Sequence, residues 1–342
     1  MCRRSQGESA SWPSTSVEER LRLGQRVTMS RIRQPVSVAR VGERVLIALG
    51  GNAMTAPDGS ASPDDQRGAV EGAMSHVTAL IAAGHQVTLT HGNGPQVGNL
   101  ILKNQLAADV VPPVPLDWCG AQTQATIGTL VLNALGGRAA VVVTRTLVDP
   151  ADPAFRDPVK PIGRYFTEAD ARRFEGLGQT WRRFDRGWRR VVASPEPLEI
   201  LDAPAVAALT AAGFTVVAAG GGGVPVARDA AGRLTGVEAV IDKDLAAAML
   251  ARAVRATVLV IATDVPRAVV GFGTAHARPI GSVTAAELRV LHAAGHFAGG
   301  SMGPKVEAAL RFVEQGGDQA VITSLGDIGA AVAGQAGTVV RK

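Results

Sequence analysis

The 342-residue sequence predicts an α/β protein, a three-layer sandwich with a mainly parallel central sheet covered by helices on both faces. Three observations carry that prediction. From residue 43 onward, short β-branched apolar runs alternate with helical patterns. Three of those runs end in glycine: Gly50-Gly51, "HGNGPQVG" at 91 to 98, and Gly220 to Gly223. The composition, 46% hydrophobic but only 4% aromatic with 40 glycines, is that of a chain rich in small residues and loops.

The elements follow in order. "RVLIALG" reads as a strand, "DDQRGAVEGAMSHVTALIAAG" as an amphipathic helix closed by Gly84, and "QVTLTHG" as a second strand. "LDWCGAQTQATIGTLVLNALGG" reads as a helix opened by Asp117 and ended by Gly136, and "RAAVVVTRTLV" as the strand after it. Residues 149 to 195 break the rhythm, being rich in proline and arginine and holding most of the aromatic side chains, and they read as a small protruding lid. Beyond them come the helix "APAVAALTAAG", the strand "FTVVAAGGGG", the hairpin "VPVARDAAGRLTG", the helix "KDLAAAMLARAV" and the strand "ATVLVIATDV". Helices around 284 to 294 and 303 to 315 and the strands "QAVITS" and "GTVVRK" complete the chain. Two lobes of similar style are expected, 43–212 including the lid and 213–342, with no short internal repeat.

The isoelectric point of 9.7 invites a nucleic-acid reading, so the charge must be located. Residues 1 to 42 hold eight arginines against three glutamates, which accounts for the whole net charge of +5. The rest is neutral, and a basic face for nucleic acid is not supported. This first segment reads as a disordered basic tail or as a mis-assigned start, with Met29 as the alternative beginning. Glu8, Glu18 and Glu19 argue against a transit signal, and no apolar run reaches the roughly 18 residues that a membrane span needs. Cys2 and Cys119 are too few for a disulfide framework or a zinc site, so Cys119 is expected in the core and the chain in a reducing cytoplasm.

Glycine at a strand end lets backbone N–H groups converge on an anion, and a following helix N-terminus adds partial positive charge. In a parallel sheet all three glycine loops open at the same edge. Neither the dinucleotide fingerprint nor the P-loop pattern fits them, and no lysine accompanies the first strand. Of 35 basic residues only five are lysines: Lys103, Lys160, Lys243, Lys305 and Lys342. Lys243 and Lys305 both fall in the first turn of a predicted helix, where a cation is unfavourable unless an anion is present. They therefore suggest a shared phosphate, with a solvated surface lysine as the alternative reading of each taken alone. Asp242 and Asp244 flank Lys243; one serves as helix cap and the other is free to hold the lysines in register. His91 has no Ser or Cys elbow near it, so a triad is not supported. Glycine amides, lysines and a metal-bound nucleotide are the inventory of direct phosphoryl transfer.

At this point the residues resemble the carbamate kinases, within the amino-acid kinase fold. The matching stretches run from "ALGGNA", "HGNGPQVGN" and "PLDWCGAQTQATIG" through "VDPADPAF", "KPIG" and "RGWRRVVASPEP" to "GGGGVPV", "GVEAVIDKDLA", "AGHFAGGSMGPKVEAA", "AVITSL" and "GTVV", covering essentially 43–342. "KPIG" and "RGWRRVV" are the specific parts, since sister kinases for acetylglutamate, aspartate or uridylate lack them. The resemblance implies that Lys160, Lys243 and Lys305 surround the transferring phosphoryl group, with Asp244 organising the lysines. It implies that Gly50, Gly51, Asn52, Gly92, Asn93 and Gly94 bind carbamate and the transferring phosphate. Gly220, Gly221, Gly222, Gly223, Lys243, Asp264 and Lys305 would face the nucleotide. The implied reaction is ATP + carbamate ⇌ ADP + carbamoyl phosphate with Mg²⁺, often run toward ATP at the end of arginine fermentation, in a homodimer.

One stretch departs from the family. After "TDV" at 263 to 265 the family continues in the style "DAVYLNWG", whereas this chain reads "PRAVVGFG", with Pro266 for an acid and Val269 for a tyrosine. Weaker stacking on adenine or an altered nucleotide choice is expected from that change. Two alternatives accompany the leading reading: a kinase of this fold acting on another small carboxylate, and a nucleotide-binding regulatory protein without turnover.

Overall fold

The computed structural model describes residues 42–55, 62–297 and 301–342; residues 1–41 of the expected basic tail and the side chain of Asn52 lie outside the described residues. At its centre is an eight-stranded sheet. In spatial order the strands are Ser282–Thr284, Thr338–Arg341, Gln319–Ser324, Val258–Thr263, Arg44–Leu49, Gln86–His91, Thr215–Val217 and Ala139–Val141. All neighbours are parallel except Gln319–Ser324 with Thr338–Arg341.

The period of two along the first strand assigns its side chains to two cores. Leu46 and Ala48 pack into one core with Val206, Leu250, Leu288, Val306 and Leu310, which come from the helices Ala203–Ala211, Lys243–Ala253, Ala285–Ala293 and Met302–Glu314. Val45, Ile47 and Leu49 pack into the other with Val70, Met74, Val77, Ile127 and Val131, from the helices Pro63–Ala82 and Leu116–Leu135, and with Ile328. Three layers result, as the run of buried apolar strands predicts. Cys119 is buried in a third cluster with Val97, Ile101, Leu116, Ile162 and Val192.

Four expectations need correction. "RAAVVVTRTLV" is two strands, Ala139–Val141 in the main sheet and Arg145–Leu147 in a four-stranded sheet with Glu199–Ile200, Val224–Arg228 and Leu234–Gly236. The break is made from outside the segment: the Gln124 amide donates to the Thr144 carbonyl at 3.1 Å and accepts the Thr144 N–H at 2.8 Å. Asp117 does not open its helix, which starts at Leu116 after Pro115. Residues 94–98 of the run "HGNGPQVG", read as part of a glycine loop, open a helix of 13 residues, Gly94–Leu106. The strand Thr215–Val217, expected to open the second lobe, pairs with Gln86–His91 and Ala139–Val141, both from the first.

Within 149–195 the chain forms an antiparallel three-stranded sheet, Lys160–Phe166, Gly187–Val192 and Thr180–Phe184, with the helix Glu168–Glu175. Its core is aromatic: Phe166 stands edge-on to Phe174 and Trp181 at 5.8 and 5.2 Å, and Phe174 stacks on Trp181 at 5.6 Å. At the base of this lid, Ile162 and Val192 are buried against Val97 and Ile101 of the helix Gly94–Leu106. Gly98 meets Gly163 there, where an added Cβ would stand 2.9 Å from the Gly163 Cα.

Candidate active site

The glycine loops close on one another at the C-terminal edge of the sheet. A Cβ on Gly92 would lie 2.9 Å from the Gly51 nitrogen, so the first two loops approach backbone to backbone. Gly221, at φ +65°, would meet the Asn93 amide at 2.2 Å, which interlocks the second and third. The Asn93 amide donates to Thr123 Oγ1 at 2.8 Å, so its orientation is set by the helix behind it.

Two cavities open above these loops. The larger, about 570 Å³, lies under the lid and is lined by Gly51, Gly92, Asn93, Gly94, Lys160, Gly221, Asp242, Lys243, Asp244 and Lys305, among others. The smaller, about 360 Å³, is lined by Gly50, Gly51, Ala53, Lys243, Ala262, Thr263, Asp264, Ser301, Lys305 and Leu325. Gly51, Lys243, Ser301 and Lys305 line both. A group passing from one cavity to the other therefore passes these two ammonium groups, whereas Lys160 faces the lid-side cavity alone.

The charges are arranged around Asp244. This carboxylate is buried, and it accepts from Lys243 Nζ at 2.5 Å on one oxygen and from Lys305 Nζ at 3.1 Å on the other. Burial pushes its carboxyl up, but the two lysines together outweigh that and hold it below the usual carboxylate range. The side chains of Lys243 and Lys305 are 15% and 11% exposed, that of Lys160 36%, so the lid lysine is the solvated member of the three. Asp242 caps the helix Lys243–Ala253 and also accepts from Lys160 Nζ at 3.2 Å. His91 is buried beside Gly220; burial lowers its pKa to about 4 against a hydrogen bond with the Gly92 carbonyl, with Lys243 adding to the drop. At neutral pH its imidazole is an uncharged packing element.

The structure thus brings together Gly50, Gly51, Gly92, Asn93, Gly94, Gly221, Lys160, Lys243, Lys305, Asp244 and Asp264. It separates Gly220, Gly222 and Gly223, which line neither cavity. Added Cβ atoms there would meet His91, Ile241 and Thr146, so these glycines are needed for packing. Val269 pairs with Pro279 in a short hairpin and also lines neither cavity. Asn99, Arg164, Arg189 and Ser301 are cleft residues that motif reading missed, and Asp242, read only as a candidate helix cap, lines the cleft as well. The signal for the two arginines was present, since both lie in the arginine-rich lid. Among the described residues no group of three or more His, Cys, Asp or Glu is placed to hold a metal ion, and no helix is long and apolar enough to cross a membrane.

Comparison with known proteins identifies the family. Residues 43–324 match the model of the amino acid kinase family. The chain is 43% identical to carbamate kinase 1 of Enterococcus faecium, over 88% of this chain and 100% of that protein. It is also 43% identical to the carbamate kinase of Thermococcus kodakarensis, again over 88% of this chain and all of the relative. The structure of the Giardia lamblia carbamate kinase bound to AMP-PNP superposes with a TM-score of 0.83 at 41% identity, covering 88% of this chain and 99% of that one.

Proposed function

This chain belongs to the amino acid kinase family, and on that premise we propose that it catalyses reversible phosphoryl transfer between ATP and carbamate. The observation that carries the reading is the meeting of the two cavities at Gly51, Lys243 and Lys305. Carbamate or carbamoyl phosphate occupies the lid-side cavity, against the amides of Gly92, Asn93 and Gly94 and the N-terminus of the helix Gly94–Leu106. The nucleotide phosphates enter from the Gly50, Thr263 and Asp264 side. In the ATP-forming direction a terminal phosphate oxygen of ADP attacks the phosphorus of carbamoyl phosphate. The bond to the carbamate oxygen breaks, and carbamate leaves with the electron pair.

Lys243 and Lys305 stand where charge accumulates on the transferring group. Asp244 keeps their ammonium groups together without neutralising both, since one carboxylate faces two cations. No reorganisation is then needed when the phosphoryl group arrives. Lys160 adds the third charge from the lid side. Mg²⁺ would arrive on the nucleotide and offset its phosphate charge, and Asp264, which lines the smaller cavity, would be the carboxylate available to hold it.

The same reading includes a homodimer and a place at the end of arginine breakdown. Support for self-association comes from the exposed Leu106, Val110, Val111 and Trp118, and light scattering of the purified protein tests it. For the reaction itself the test is ATP formation from Mg·ADP and carbamoyl phosphate, with Lys243→Ala as the blank. Lysine-dependent ATP is the expected result. Its absence from folded protein would overturn the assignment and turn attention to other small acyl phosphates.

A further inference from the structure

The lid backbone and the lid lysine are held by different means. Ile162 and Val192 anchor the lid's base by burial, but Lys160 ends in a four-carbon stem whose head is partly solvated. Apolar packing does not orient a charged head, and an unrestrained lysine retains most of its rotamer freedom. Among the described residues it is met by a single oxygen, that of Asp242, 3.2 Å away.

The other oxygen of that carboxylate is already committed. Asp242 Oδ1 accepts the Asp244 N–H at 2.9 Å and the Leu245 N–H at 3.4 Å, capping the helix that begins with Lys243. We propose that Asp242 is a positioning residue for Lys160, its helix-capping carboxylate using the second oxygen to hold the lid's ammonium group over the cleft. The inference rests on the phosphotransfer reading above. It assigns to Asp242 a task that capping alone does not require, since Asn, Ser or Thr would cap as well. The ammonium group of Lys160 thereby takes its position from the same helix end that carries Lys243 and Asp244.

Asp242→Asn separates the two tasks, because asparagine caps a helix about as well as aspartate but carries no charge. The expected result is a fall in kcat for ATP formation of about tenfold, the scale of one lost charge-assisted contact, with an unchanged Tm. In a Lys160→Ala background the same substitution should change kcat by less than about twofold, because coupled residues are not additive. A second readout is independent of turnover: amine labelling followed by mass spectrometry, with the exposed Lys103 as internal reference. Lys160 should react more slowly than Lys103 in the wild type and catch up in Asp242→Asn. An undiminished kcat, an equal loss in the Lys160→Ala background, or unchanged labelling of Lys160 each overturns the proposal. If the wild type makes no ATP, the functional reading fails, and the labelling comparison alone decides the role of Asp242.

Discussion

The sheet edge and the lid both bring lysines to the cleft, and they are built on opposite principles. At the sheet edge, Lys243 and Lys305 share the buried Asp244, and the helices carrying them pack into the main core. The lid has an aromatic core of its own, and its lysine is joined to the rest by one partly solvated ion pair. The charges shared by both cavities are organised in advance at the cost of burying a carboxylate, whereas the charge facing the lid-side cavity alone rides on a separate subdomain.

The largest effect should follow from breaking the buried side. Asp244→Ala leaves two ammonium groups close together without their carboxylate, and removing one partner of a buried ion pair costs about 3–5 kcal/mol. Denaturant unfolding should show a loss of that size, and ATP formation should fall to the blank. An unfolding midpoint equal to the wild type would mean that the cluster is not the rigid half of the comparison.

Acid should act on the sheet edge before the lid. His91 is neutral in the folded protein, with a pKa of about 4 against 6.5 for a free imidazole, while the segment 149–195 contains no histidine. Between those two values the unfolded chain binds a proton that the folded chain does not. Stability from this group is therefore complete above pH 6.5 and is lost as pH falls toward 4, by about 3 kcal/mol in total. Unfolding curves across that range check it, and His91→Gln should flatten them.

Much of this contrast was legible in the sequence, and the illegible part was non-local. Lys160, Lys243 and Lys305 stood out because the chain otherwise writes its positive charge as arginine. The strand and helix pattern around Ile47, Leu89 and Leu250 followed from periodicity. The helix Gly94–Leu106 was hidden because Gly94, Pro95 and Gly98 read locally as a turn, yet Gly98 is small because Gly163 of the lid lies against it. The break at Thr144 was invisible because Gln124, twenty positions away, imposes it. The run Gly220 to Gly223 looked like a phosphate loop throughout, while only Gly221 faces the cleft and the others make room for His91, Ile241 and Thr146.

A smaller effect probes the lid's seat. Gly98→Ala would place a methyl group 2.9 Å from the Gly163 Cα and push the lid outward. The KM for carbamoyl phosphate should rise about fivefold with little change in Tm, since misplacement acts on substrate positioning. An unaltered KM would show that the lid's register does not depend on this contact.

Lys160→Ala probes the division of labour between the two regions when kcat and AMP-PNP affinity are measured on the same protein. A lysine that faces the lid-side cavity alone should lower kcat about 100-fold when removed and leave the nucleotide dissociation constant unchanged. Equal losses in rate and nucleotide affinity, or an unchanged kcat, would contradict the account.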